Sequence, residues 1–250
     1  MRCETCGPVE STNPTPPSAP MVPRTIEQVV AGIEIDHGVA GKSAHDEYER
    51  RHNKREQNLD KTFGKFAPGV KFLTNDPQST TAWAKGSKGE RELAEGMQRR
   101  LGDVAVLLHD RQARKGRGNI DHIVVAQSGV WVVDAKNFDG VVECRDKGGW
   151  FDTDNRLYVK GHDQSNLVKG MAWQLREVRE ALGEIEVPVT GVLCFTDSDW
   201  KLFAEPFTLN EVLVTWPRAL VRAIAAPGPV VPEGVEWLAT EIARTLVAKG

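Results

Sequence analysis

The fold of this chain is decided by residues 118–136, which read GNIDHIVVAQSGVWVVDAK. Two runs rich in β-branched residues flank a short turn at residues 127–129, a pattern typical of a β-hairpin. Both runs are apolar on both faces, which indicates strands from the middle of a sheet, where each face is covered.

Alternation along these two strands brings two acids together. Side chains point to opposite faces in turn, so Asp121 shares a face with Ile123, and Asp134 shares one with Lys136. A connection of two or four residues then sets Asp121 directly opposite Asp134, with Cβ atoms about 5 Å apart. Like charges in that position repel, and a hard divalent cation is their natural compensation. The hairpin therefore predicts a functional site rather than a stabilising contact.

The composition is that of an ordinary globular protein, with 250 residues, 40% of them hydrophobic and 27% charged. Because the net charge is −3, any affinity for nucleic acid has to come from a local basic patch. No apolar run is long enough to cross a bilayer, and residues 1–23 lack the apolar core of a signal peptide. We therefore expect a cytoplasmic protein without a membrane segment.

Three segments of different composition predict the domain organisation. Residues 1–43 are expected to be a disordered tail and linker, because residues 1–23 contain six prolines together with Ser, Thr and Asn. Residues 44–74 are predicted to be a charged helical arm and linker, either a solvated helix or an arm that faces nucleic acid. Residues 75–250 are predicted to be one α/β domain, with a motif core at 83–195 and a C-terminal strand and helices at 205–248.

The order of elements in this domain predicts its class. Asp76 and Pro77 start a helix that runs to about Leu101, and a strand, a basic loop and the hairpin follow. The strands are predicted at 104–109, 141–144, 150–151, 157–159, 187–195 and 212–215, and the helices at 164–182, 217–226 and 232–248. Helix, meander, helix and strands in this order predict an α/β domain with a mixed sheet.

Three other patterns in the sequence do not indicate a functional site. Cys3 and Cys6 have the spacing of half a zinc site, but no second pair of ligands follows nearby, so we interpret them as free thiols in the tail. Residues 40–43 are similar to the end of a phosphate-binding loop, but Asp36 stands where its first glycine belongs. His122 falls on the face opposite Asp121, which indicates packing.

A longer pattern resembles a known family. It combines Lys88-Gly89-Glu90 with Asn119-Ile120-Asp121, with Asp134-Ala135-Lys136 and with Gly140. In this combination the chain resembles the nuclease-related domain, NERD, over about residues 83–195. That family is similar to the PD-(D/E)XK nucleases and to Holliday-junction resolvases of that type. The resemblance implies a restriction-endonuclease-like αβββαβ core with the site on its second and third strands.

The resemblance also assigns roles to single residues. Asp121 and Asp134 would bind Mg²⁺ or Mn²⁺, with the backbone carbonyl of Ala135 as a further ligand. Glu90 would hold a metal-bound water or a second ion, and Lys136 would orient or deprotonate the attacking water. The family more often has Glu where this chain has Asp134, which is one methylene shorter.

These features predict a metal-dependent phosphodiester hydrolase that acts on nucleic acid, with DNA as the expected substrate. Gln174, on the helix predicted at 164–182, matches a glutamine often found near such sites. The alternative is a nucleic-acid-binding module that keeps the fold without the activity. In either case the basic loop before Asp121 is a candidate for phosphate contact. Its basic residues are Arg111, Arg114, Lys115 and Arg117.

Overall fold

The computed structural model describes residues 34–63, 78–114, 118–149, 152–202 and 204–249. Within them the chain forms five α-helices, which are α1 (Lys42–Phe63), α2 (Gln78–Leu101), α3 (Ser165–Leu182), α4 (Pro217–Ile224) and α5 (Pro232–Thr245). A 3₁₀ turn, Gly102–Val104, follows α2. Cys3, Cys6 and the rest of the tail before residue 34 lie outside the described residues, as does the strand predicted at 150–151.

The strands form two mixed sheets and confirm the predicted α/β class. In chain order they are β1 (Ala105–Gln112), β2 (Asn119–Ala126), β3 (Gly129–Lys136), β4 (Val141–Asp146), β5 (Asn155–Val159), β6 (His162–Asp163), β7 (Val189–Phe195), β8 (Asp199–Trp200), β9 (Phe207–Leu209) and β10 (Val212–Thr215). The central sheet has the order β1-β2-β3-β7-β10-β9, and the smaller one has the order β6-β5-β4-β8. β1, β2 and β3 are antiparallel neighbours, whereas β7 runs parallel to β3 and to β10.

A two-residue turn closes the β2–β3 hairpin and fixes its register. The ladder pairs Ala126 with Gly129 and His122 with Val133. Gly129 has φ = 125°, and a Cβ at this position would lie 2.6 Å from the carbonyl oxygen of Pro188. Only glycine tolerates both constraints. The close approach of Pro188, which directly precedes β7, to the hairpin therefore depends on Gly129.

Helices cover both faces of the central sheet. α2 and α4 bury their apolar stripes against one face, and α3 and α5 bury theirs against the other. Because Val130 and Val132 face the α3 side, alternation along β3 places Asp134 and Lys136 on that side too. None of the helices in the described ranges has the length and apolar composition needed to cross a bilayer. The predicted stripes are confirmed by the burial of Leu93, Met97 and Leu101 on α2 and of Met171, Leu175, Val178 and Leu182 on α3.

Residues 34–43, which the sequence assigns to the tail and linker, bond to the edge of the central sheet. The carbonyl of His37 accepts a hydrogen bond from the backbone N–H of His109 at 2.7 Å, and its ring Nδ1 lies 2.8 Å from the carbonyl oxygen of Leu107. Gly38 has φ = 69°, and a Cβ there would lie 2.1 Å from the carbonyl oxygen of His109. The segment is ordered because it bonds to the outer edge of β1, before α1 packs against α2.

β1 extends beyond its predicted end to Gln112, which removes Arg111 from the basic loop. Arg111 is fully buried. Its guanidinium donates to the carbonyl of Leu246 at 3.3 Å and to the carbonyl of Asp36. The backbone N–H of Gln112 donates to the carbonyl of Val247 at 2.9 Å. Arg111 therefore joins the two ends of the described chain to β1. Its burial is incompatible with the predicted contact between Arg111 and nucleic acid.

Candidate active site

Asp121, Asp134 and Lys136 meet at the open end of the hairpin. One step beyond the pairing of His122 with Val133, the register sets Asp121 opposite Asp134, and the two carboxyl groups share a hydrogen bond. Nζ of Lys136 lies 2.5 Å from Oδ1 of Asp134. The side chains of Lys136 and Asp134 are 21% and 12% exposed, so the charged groups lie in a recess that a small ligand can still reach.

The acid pair carries more negative charge than its surroundings compensate. Burial raises the pKa of Asp121 well above its ordinary value, and the charges of Asp134 and Glu90 raise it further, against the opposing effect of Lys136. A carboxyl pKa raised in this way reports an unfavourable concentration of negative charge. A bound divalent cation would relieve it, because carboxylate oxygens are preferred ligands of hard metals.

Glu90 approaches the pair from α2. Burial raises the pKa of Glu90 to about 7, and the charges of Asp110 and Asp134 contribute in the same direction. The preceding residue, Gly89, allows this approach. A Cβ at Gly89 would lie 3.0 Å from Cβ of Asn137 and 3.2 Å from Oγ1 of Thr196. The glycine next to Glu90 therefore brings α2 against the ends of β3 and β7.

Lys136 keeps its proton at neutral pH. Burial favours the neutral amine, but the charges of Asp134 and Asp121 together outweigh it and raise the pKa of Lys136 above its ordinary value. A protonated amine cannot remove a proton from water. Of the two roles expected for Lys136, orientation of the attacking water fits the geometry better than its deprotonation.

Gln174 reaches the same recess from α3. It is 6% exposed, its Nε2 lies 3.7 Å from Sδ of Met171, and its Oε1 has no hydrogen-bond partner among the described residues. The recess is a cavity of about 560 Å³. Its lining residues are Ala44, Lys85, Gly86, Glu90, Asn119, Asp121, Asp134, Ala135, Lys136, Asn137, Phe138 and Gln174. Gln174 thus brings a buried, unpaired acceptor oxygen to the lining of the cavity.

The sequence prediction missed a further acid, Asp110 of β1. Asp110 interrupts the β1–β2 ladder opposite Asp121 with φ = 49°, a conformation uncommon outside glycine. Its buried carboxylate accepts hydrogen bonds from the backbone N–H and the Oγ of Ser43, both at 2.6 Å. Asn119 donates to Oγ of the same serine. Because Ala44 lines the cavity, the first turn of α1 belongs to the wall of the site.

The described part of the basic loop is bound to α3. Arg114 donates from its backbone N–H to Oε2 of Glu177 at 3.0 Å, and its guanidinium lies 2.5 Å from Oε2 of Glu180. Both acids belong to α3, so Arg114 attaches the loop to that helix. Lys115 and Arg117 lie outside the described residues, and their predicted contact with phosphate stays a prediction.

The donor set fits Mg²⁺ or Mn²⁺. In the described part of the chain, no group of three or more His, Cys, Asp or Glu side chains could hold a metal ion. Mg²⁺ commonly binds one or two carboxylates and keeps several waters, so Asp121 and Asp134 can suffice as side-chain ligands. The unpaired Oε1 of Gln174 can accept a hydrogen bond from a bound water. Glu90 then fits the role of holding water better than that of a direct ligand.

Comparison with known proteins finds one family model that matches the region of the site. Residues 85–196 match the family model of NERD, the nuclease-related domain. Searches of the curated proteins and of the solved structures find no significant match. The matched stretch contains Glu90, Asp121, Asp134, Lys136 and Gln174, whereas Ser43 and α1 precede it. Residues 85–196 of this chain, which carry all five of these side chains, therefore resemble a nuclease-related domain.

Proposed function

We propose that this protein is a metal-dependent nuclease that hydrolyses phosphodiester bonds in nucleic acid, with DNA as the first expected substrate. The observation that carries the proposal is the recessed carboxyl pair of Asp121 and Asp134 with Lys136 beside it. Two opposed acids weaken a sheet, so their presence in a region that matches a nuclease-related domain is better explained by chemistry than by stability.

Asp121 and Asp134 would hold Mg²⁺ or Mn²⁺ through their carboxylate oxygens, together with the backbone carbonyl of Ala135. When bound, such an ion lowers the pKa of a coordinated water and polarises phosphoryl oxygens. For the chain itself, a cation at this position offsets the repulsion that raises the pKa of Asp121.

The neighbouring side chains act on the water and the phosphate. Protonated Lys136 orients the water and offsets the negative charge that develops on the phosphoryl oxygens. Glu90 holds the attacking water, and with a pKa of about 7 it can accept a proton from it near neutral pH. The water oxygen bonds to phosphorus, one bridging P–O bond breaks, and the leaving oxygen takes a proton from solvent. The products are an alcohol and a phosphate monoester.

The test is cleavage of labelled nucleic acid by the purified full chain with Mg²⁺ or Mn²⁺. Plasmid, linear duplex, branched and single-stranded DNA and single-stranded RNA are compared for the wild type, Asp134→Asn and Lys136→Met. We expect cleavage of at least one DNA substrate that stops with chelator. Each variant should be slower by about 100-fold or more, the order found when an electrostatic catalytic group is removed.

The matched control is Asp103→Asn, which changes an exposed acid on the 3₁₀ turn and should leave cleavage unchanged. Absence of cleavage by the wild type would contradict the proposal, as would equal cleavage by Asp134→Asn. Salt-sensitive binding of nucleic acid without any cleavage would then favour a binding module that keeps the nuclease fold.

A further inference from the structure

The site lies at an edge of the central sheet that continues well beyond the cavity. β3, β7 and β10 are parallel, and their register pairs Lys136 with Phe195 and Cys194 with Thr215. All three strands therefore end at the same edge as the acids. Two strand spacings separate β3 from β10, about 10 Å in total. Ligands of open α/β sheets bind at the carboxyl ends of strands, so a long substrate has a route along this edge.

Trp216 stands on this route. It directly follows β10, and its backbone stays extended with φ = −120° and ψ = 164°. Val214, two residues earlier, is buried in the core on the α3 side of the sheet. Alternation therefore carries the Trp216 side chain to that side, the one on which Asp134 and Lys136 lie.

Trp216 belongs to a group of four half-buried aromatic residues, which we call the aromatic strip: Phe138, Trp200, Phe207 and Trp216. The ring centroid of Trp200 lies 4.7 Å from that of Trp216 and 6.3 Å from that of Phe207. Oγ of Ser198 donates to the carbonyl of Phe138 at 2.5 Å, which holds the β8 segment next to the β3–β4 connection. Because Phe138 lines the cavity, the strip begins at the wall of the site.

The strip lies at the border between the core and the surface. All four residues are partly exposed, and Phe138, Trp200 and Phe207 also pack against the hydrophobic core. Leu202, two residues after Trp200, is 84% exposed. Arg218 is exposed two residues after Trp216, whereas Lys201, which follows Trp200, is exposed but forms an ion pair of 2.8 Å with Glu143. Aromatic faces combined with nearby cations are the features on which single strands bind, with bases stacked and phosphates neutralised.

Three helices contribute to the walls of the cavity: α1 contributes Ala44, α2 contributes Lys85 and Glu90, and α3 contributes Gln174. Within a duplex the bases stay stacked on one another, so they offer no free face to the aromatic strip. An unpaired strand can place a phosphodiester in the cavity and base faces on the aromatic strip at the same time.

We propose that the nuclease acts on an unpaired nucleic-acid strand whose bases stack on Trp216 and Trp200 while a neighbouring phosphodiester enters the cavity past Phe138. This inference rests on the proposed function and narrows its substrate class. It also assigns the aromatic strip to binding, so its effect is measurable where hydrolysis cannot occur.

The experiment measures binding in chelator by fluorescence anisotropy, with a labelled 20-nucleotide single strand and the duplex of the same sequence. We expect the wild type to bind the single strand about tenfold more tightly than the duplex. Trp216→Ala should weaken single-strand binding about tenfold, within the range for loss of one stacked base, and leave duplex binding unchanged. Trp216→Phe retains an aromatic face and should recover most of the affinity. Trp237→Ala, which removes a half-buried tryptophan of α5, is the matched control and should bind like the wild type.

Equal or tighter binding of the duplex by the wild type would overturn the inference, as would unchanged single-strand binding by Trp216→Ala. If Trp216→Ala fails to fold, the test is the quenching of tryptophan fluorescence by the single strand. This quenching should be smaller in Trp216→Phe than in the wild type. Unchanged quenching in Trp216→Phe would contradict stacking of bases on Trp216. Because binding is measured without metal, a protein that does not hydrolyse nucleic acid can still be tested for single-strand binding by the aromatic strip.

Discussion

At the scale of the residue, the site holds charge that the fold does not need. Burial and neighbouring acids raise the pKa of both Asp121 and Glu90, and Lys136 compensates Asp134 through a 2.5 Å ion pair. Asp121 is left without a comparable partner among the described residues. Groups that are held in place against their own electrostatics mark a trade between stability and activity.

Asp121→Asn tests this trade. The amide keeps the shape of the carboxyl group, removes its charge and can still donate to Asp134. In metal-free buffer at neutral pH we expect the free energy of unfolding to rise by about 1 kcal/mol, the order of a cross-strand charge pair, while cleavage is lost. Urea denaturation of the variant and the wild type, with cleavage assayed on the same preparations, measures both effects.

The pH dependence of stability tests the same charge effect of Asp121. The pKa of Asp121 is raised above its ordinary value of 3.8 in the folded state, so its contribution to stability is present at low pH. That contribution is lost as the pH rises from 3.8 through the folded-state value. The stability advantage of Asp121→Asn should therefore grow with pH. An advantage that is constant with pH, or a loss of stability, would contradict the charge-based explanation.

Mg²⁺ should raise the melting temperature of the wild type more than that of the variant.

The contrast between Asp134 and Asp110 shows how far the sequence could predict the site. Asp121 and Asp134 lie in one hairpin with a two-residue turn, so their opposition followed from alternation and counting. Asp110 is brought in by an interruption of the β1–β2 ladder and a positive φ, and Ser43 arrives from α1, more than sixty positions before it in the chain. No local pattern encodes contacts of that kind, because tertiary packing alone decides them.

At the scale of the element, α2 combines two glycines with opposite surroundings. A Cβ at Gly86 would have no heavy atom within 4 Å, whereas one at Gly89 would lie 3.0 Å from Cβ of Asn137. The first glycine costs helix stability without a packing benefit. The second permits the contact that brings Glu90 to the acids.

Gly86→Ala and Gly89→Ala are therefore a matched pair. We expect Gly86→Ala to stabilise the protein by about 0.5–1 kcal/mol, the usual gain for alanine within a helix. Gly89→Ala should show no such gain, because the new methyl group forces α2 away from Asn137, and cleavage should fall as Glu90 moves. Urea denaturation and cleavage rates check both variants, and a Gly89→Ala protein as stable and active as Gly86→Ala would contradict the close-packing interpretation.

Elements with a strong period were predictable, and those held by long-range pairing were not. The stripes of α2 and α3 and the strand at residues 212–215 follow from the sequence and agree with the structure. β6, β8 and β9 have two or three residues each, too few to show a period of two. β1 continues to Gln112 because the C-terminal segment bonds to its end, an interaction with no signal near residues 105–112.

At the scale of the whole molecule, both ends of the described chain meet at β1. His37 bonds to the backbone of His109, and the N–H of Lys249 donates to the carbonyl of Asp110 at 3.0 Å. Ser43 holds the side chain of Asp110 from the first turn of α1. The nuclease-related region at 85–196 thus shares its site with segments that lie before and after it in the chain.

Ser43→Ala tests whether α1 is part of the working enzyme. The variant removes the Oγ bond to Asp110 and leaves a buried carboxylate with one fewer donor, so we expect a loss of about 2 kcal/mol of unfolding free energy. Trypsin should cut at Arg50 faster than in the wild type, and cleavage of nucleic acid should fall because the α1 wall of the cavity loosens. Asp46→Asn, an exposed change on the same helix, should alter none of these. If Ser43→Ala keeps wild-type proteolysis and activity, α1 only covers the core, and the catalytic unit ends with the matched domain.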